Sequence, residues 1–132
     1  MKNIVSCDIA LKLKEKLFNL ECLYHYTTNG ALRPNYVHPV GGEYTLEGAW
    51  GCCNTLFSDK TCDAPSISQV LEWLREKYWL HIEIYYVDHG GNPYKFVIKQ
   101  TCIYAEWTND EFYESYEAAA MGAILFIIDN LI

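Results

Sequence analysis

The sequence predicts a mixed α+β fold in a single domain spanning residues 1–132, with an N-terminal helix and β-hairpin followed by a helix, a three-stranded antiparallel sheet and a C-terminal helix. Three observations predict it. Residues 67–78 carry apolar side chains at helical spacing behind a Ser-x-x-Gln start signal. Residues 80–87 and 93–99 alternate apolar and polar positions around a Gly-rich break. Residues 116–131 return to a broad apolar helical stripe. The chain thus reads as residues 1–63, helix, hairpin and irregular connection, and residues 64–132, an α-β-β-β-α half.

Composition sets the bounds. With 51% hydrophobic, 15% aromatic and 20% charged residues, the chain has the apolar material for a core and lies outside the disordered class. A net charge of −7 repels phosphate, which weighs against nucleic acid and anionic lipid as partners. The most apolar run, 118–128, is about half the roughly 20 residues a membrane span requires, so no membrane is expected. Charges follow closely on the apolar pair Ile4-Val5, so no secretory leader is read and the expected location is cytoplasmic. The six cysteines are then expected as free thiols, with Cys7, Cys22 and Cys102 acting as small buried hydrophobes.

The elements follow in order. Ser6 as cap, Asp8 in the first turn and Ile9, Leu13 and Leu17 on one face predict a helix over 7–18. Residues 22–27 are aromatic and β-branched and run into Asn29-Gly30, which predicts a two-residue turn and a return strand over 31–36. From 39 to 63 the pattern fails, leaving 43–46 as one short possible strand. Connections this long tend to carry function, so this stretch is the first place to expect a site.

Ser66 and Gln69 start the second helix, with Ile67, Val70, Leu71, Leu74 and Tyr78 facing inward and Trp73 on the boundary. In the strand over 80–87, Leu80, Ile82, Ile84 and Tyr86 share the inner face, opposite His81, Glu83 and Tyr85. The turn at 88–92 brings back Tyr94, Phe96 and Ile98 to pair on that inner face, and a third strand is expected near 102–107. Ser115 caps the last helix, where Gly122 permits close approach to the sheet. No repeat or low-complexity segment divides the chain.

Chemical motifs are few. Cys52, Cys53 and Cys62 with His38 are weak metal candidates, since zinc takes thiolate and imidazole ligands in a tetrahedron and adjacent cysteines suit that poorly. His81-x-Glu83 matches half of a deaminase signature, but the Pro-Cys-x-x-Cys half is absent. A Cys52 nucleophile would need His25 or His38 beside it. No phosphate loop, dinucleotide fingerprint or nucleophile elbow occurs, so no catalytic residue and no cofactor are expected. The aromatic supply, including Tyr24, Tyr26, Tyr36, Trp79 and Trp107, exceeds what one core hides. It points instead to a contact surface built from Tyr44, Trp50, His81, Glu83 and Tyr85.

The helix-strand-strand-strand-helix order over 66–132 is topologically similar to double-stranded-RNA-binding domains. Glu114, Ser115 and Glu117 stand where that family places cations. The stretches Ala64-Pro65-Ser66-Ile67-Ser68-Gln69-Val70-Leu71-Glu72-Trp73-Leu74-Arg75-Glu76-Lys77, His81-Ile82-Glu83-Ile84, Tyr113-Glu114-Ser115-Tyr116-Glu117-Ala118-Ala119 and Asp129-Asn130-Leu131-Ile132 resemble small uncharacterised proteins encoded by gut Bacteroidales and their phages or mobile elements. That resemblance implies an origin and carries no activity or catalytic residue. The expectation is therefore a non-enzymatic accessory protein acting through contact with another protein or with itself. The alternative is a small-molecule or metal-binding protein using 39–63, and the third, nucleic-acid binding, is disfavoured by charge.

Overall fold

Two serines and one left-handed leucine set the limits of the outer helices. The computed structural model of the chain describes residues 3–35, 59–87 and 90–132. These form two compact units, one within Ile4–Ser66 and the other comprising Asn3 with Ile67–Ile132. Together they hold three helices and two antiparallel three-stranded sheets among the described residues, where one sheet and a lone hairpin are expected from the sequence.

In the first unit, Ser6 caps helix α1 (Cys7–Glu15) by accepting from the Ile9 amide at 3.4 Å, and Asp8 lies in its first turn. The helix stops short of the expected residue 18 because Leu17 turns left-handed at φ 64°. Phe18 N then donates to Leu13 O and Leu17 N to Lys14 O, a Schellman closure with leucine in the place glycine usually fills. Strand β1 (Tyr24–Thr27) is central, flanked by β2 (Leu32–Pro34) and β3 (Lys60–Ala64). The β1–β2 turn is a three-residue loop, not the expected two-residue one: Thr27 and Ala31 bond each other, Gly30 N returns to Thr27 O, and only Gly30 of the loop has positive φ. β3 is a strand the sequence conceals inside the irregular stretch. Val5, Ile9, Ala10, Leu13, Tyr26 and Cys62 make the core, and the Tyr26 hydroxyl donates to Val5 O at 2.6 Å.

In the second unit, α2 (Ile67–Tyr78) begins where Asn3 O accepts from the Ile67 amide at 2.7 Å. Trp73 is in the core, not on the boundary, with its ring edge-on to Tyr78. Trp79, left-handed at φ 55°, turns the chain into β4 (Leu80–Tyr86), and Gln100 Nε2 covers the Tyr78 carbonyl at the helix end. β5 (Tyr94–Gln100) pairs with β4 in unbroken register, Ile82 with Ile98, Ile84 with Phe96 and Tyr86 with Tyr94, as the alternation requires. The third strand, β6 (Ala105–Trp107), is shorter than expected, and Cys102 lies exposed in the turn before it instead of within a strand. Helix α3 (Tyr116–Asn130) starts at Ser115, whose Oγ accepts from Ala118 N at 3.1 Å. Its Ala119, Ala120, Ala123, Ile124 and Ile127 are fully buried with Phe96 and Ile98. Gly122 does allow a close approach, but to the Tyr113 ring: an added Cβ there would lie 2.6 Å from Tyr113 Cζ. No described helix is long and apolar enough to cross a membrane.

Candidate functional site

Alternation along β4 and β5 puts His81, Glu83 and Tyr85 on the face turned away from the inner pairs, and the β4–β5 register brings Lys95, Val97 and Lys99 to the same face. Three of these side chains join. The Tyr85 hydroxyl donates to Glu83 Oε2 at 2.5 Å, Lys99 Nζ lies 3.1 Å from the same oxygen, and Glu106 of β6 approaches Lys99 at 3.9 Å. The hydrogen bond from Tyr85, then the one from Lys99, hold the Glu83 carboxyl below the usual carboxylate range. The same bond raises the Tyr85 hydroxyl above the usual phenol range. All three side chains are solvated, so this is a polar surface array and not a catalytic pair in a cleft. The sequence places Lys99 in the strand over 93–99 but marks neither it nor Glu106 as a site residue. The signal for Lys99 was the hairpin register, which sets it opposite His81.

The edge of this sheet is as informative as its face. Val87 N donates to Pro93 O, which makes that pair hydrogen-bonded and, by alternation, His81, Glu83 and Tyr85 bond to β5. The N–H and C=O groups of Leu80, Ile82, Ile84 and Tyr86 therefore point away from β5. The opposite side of β5 agrees: Tyr94 exchanges both backbone bonds with Tyr113, and Phe96 O accepts from Thr108 Oγ1. Among the described residues no backbone group pairs with β4 on its outer side.

The first unit holds two further features. Asn35, buried, turns its amide nitrogen to Cys22 O at 2.9 Å and Tyr24 O at 3.1 Å, so its oxygen faces His25 Nδ1 at 2.6 Å and that nitrogen carries the proton. His25 is thereby held as a core histidine. A cleft of about 270 Å³ between α1 and β3 has Leu13, Phe18 and Pro65 as apolar walls, with Lys14 donating to Thr61 O at its rim. Cys62 lines it, and burial, followed by the nearby Cys7, pushes its thiol up to about 11. Such a thiol stays protonated, which makes it a poor nucleophile and a reluctant metal ligand.

Of the residues the sequence singles out, the structure brings together His81, Glu83 and Tyr85. Tyr36, His38, Tyr44, Trp50, Cys52 and Cys53, the possible strand at 43–46 and the tip of the 88–92 turn at Asp88-His89 lie outside the described residues. No three His, Cys, Asp or Glu side chains converge as a metal set among the described residues. No family model, curated protein or solved structure matches the chain.

Proposed function

We propose that the protein is a small, non-enzymatic accessory protein of phage or mobile-element type that works by protein–protein contact, taking an extended strand on the open edge of β4. The open edge carries this reading. Strand edges are usually blunted by shortness, proline, lysine or a bulge. β2 is three residues long and ends in Pro34, β6 is three residues long, and β3 opens on the Lys60–Asp63 ion pair with a register shift opposite it. β4 has seven residues, unbroken register and neither lysine nor proline. An added strand gains main-chain hydrogen bonds along such an edge and side-chain specificity from the face. The array of Tyr85, Glu83 and Lys99 supplies that specificity, and the resemblance to Bacteroidales mobile-element proteins supports the biological setting.

Amide hydrogen exchange tests the reading. In dilute protein the Ile82, Ile84 and Tyr86 amides are expected to exchange fast while those of His81, Glu83 and Tyr85 are protected. Excess synthetic peptide copying residues 80–87 is then expected to protect the fast set. Slow exchange of that set in the free protein, or no protection by the peptide, overturns strand addition.

A second reading, small-molecule binding, is favoured by the cleft between α1 and β3, whose apolar walls and Lys14 suit a small carboxylic acid. Titration with hexanoate, followed by amide shifts at Leu13, Phe18 and Thr61, checks it. Saturable shifts lost in Lys14→Met support it, and unmoved signals remove it.

A further inference from the structure

The outward groups of β4 are compatible with strands of many sequences, but the side chains beside them narrow the choice. In an antiparallel pairing of β4 with itself, the two-fold axis passes through a single residue, and each register has a different consequence. An axis at Glu83 sets Glu83 directly against Glu83 of the second copy, two like charges at the closest cross-strand spacing. An axis at Ile84 sets Glu83 against Tyr85 and leaves His81 opposite the end of the strand. An axis at Ile82 sets His81 against Glu83 twice, Leu80 against Ile84 twice, and Ile82 against itself.

The Ile82 register also agrees with hydrogen-bond parity. Leu80, Ile82 and Ile84 are the residues whose backbone groups face outward, so they become the hydrogen-bonded pairs across the axis. His81 and Glu83 then fall at the non-hydrogen-bonded positions, where side chains stand closest. Among the described residues His81 makes no hydrogen bond or ion pair, while Glu83 uses one carboxylate oxygen, Oε2, for both Tyr85 and Lys99. Its other oxygen is left to accept from an imidazole. Beyond the paired residues, Tyr85 comes level with Trp79 of the second copy. Both are exposed, Trp79 at 61% and Tyr85 at 42%, and an aromatic contact there would cover surface that is otherwise wet.

We propose that β4 pairs antiparallel with β4 of a second copy of this chain about Ile82, joining the two sheets into one continuous six-stranded sheet. The proposal rests on the strand-addition reading and names its partner. Its geometry places residues 81 and 83 of opposite copies in non-hydrogen-bonded pairs, about 4.5 Å apart at Cα, within the span of a disulfide.

The test combines sedimentation with directed cross-linking. Full-length protein is expected to show a concentration-dependent dimer by analytical ultracentrifugation. Ile84→Pro, which removes an outward amide without removing a bond to β5, is expected to weaken the dimer about tenfold or more. An equimolar mixture of His81→Cys and Glu83→Cys proteins, mildly oxidised, is expected to give an 81–83 interchain disulfide in the tryptic map. Either variant alone is expected to give no link at the introduced cysteine. Three outcomes overturn the proposal: a monomer at all concentrations, no 81–83 link in the dimer, or a preferred 83–85 link in a mixture of Glu83→Cys and Tyr85→Cys proteins. If the peptide protects β4 but the full chain stays monomeric, the second copy is excluded as partner while strand addition stands.

Discussion

Leu17, at φ 64° and 74% exposed, occupies a left-handed position that costs an L-residue about 1–2 kcal/mol and gains no burial in return. Leu17→Gly is expected to stabilise the protein by about 0.5–1 kcal/mol in urea unfolding, after the extra entropy of glycine in the unfolded chain is subtracted. Glu83 allows a second test at this scale. Its folded carboxyl lies below the usual range, so its favourable interaction is present above the unfolded carboxylate value and is lost as pH falls through the lower, folded value. Tyr85→Phe removes the largest cause and is expected to move the Glu83 midpoint upward in a carbon-detected titration. Lys99→Met, which removes the second hydrogen bond and a nearby positive charge, is expected to move it upward as well. Alternation alone placed both residues on one face. The hydrogen bond that joins them, and the burial of His25 against Asn35, depend on distances that no spacing rule encodes.

At the scale of elements, the capped helix starts at Ser6 and Ser115 and the 80–100 hairpin were legible, because each follows from residues within a few positions of one another. Strand β3 was not legible: Lys-Thr-Cys-Asp-Ala has weak strand preference, and its conformation comes from pairing with β1 across more than thirty residues of chain. Helix α3 shows how tertiary contact changes a local rule. Ala normally improves on Gly in a helix by about 1 kcal/mol. At 122, however, a Cβ would meet the Tyr113 ring, which is held by Asn109 Nδ2 at its hydroxyl and by backbone pairing with Tyr94. Gly122→Ala is therefore expected to destabilise by about 1–3 kcal/mol in thermal or urea unfolding. In a Tyr113→Ala background the same change is expected to become neutral or stabilising. A Gly122→Ala penalty that persists in that background would show that the ring is not its cause.

At the scale of the whole molecule, charge is the property most directly read from composition. With a net charge of −7, the chain is expected to give no mobility shift with duplex DNA or RNA at about 150 mM salt. A salt-dependent shift there would reverse the order of the functional readings. Thiol reactivity separates the cysteines in the same way: iodoacetamide at pH 8 is expected to label exposed Cys102 well before buried Cys62, as read by peptide mass spectrometry. The sequence suggests the reverse, with Cys102 a buried hydrophobe inside a strand and Cys62 a weak metal candidate in the irregular stretch.

The sequence by itself determined the α+β class, the helix starts, which residues of β4 and β5 share a face, and the acidic field, since these follow from charge sums, caps and side-chain period, although Tyr86, expected on the inner face, is 69% exposed. Only the tertiary structure decided that the described residues form two sheets, that Trp73 is core and that Tyr113 fills the space beside Gly122. It alone also showed that, among the described residues, β4 is the long strand with no neighbour on its outer side. Those outcomes turn on which distant segments meet, and an edge is defined by the neighbour a strand does not have.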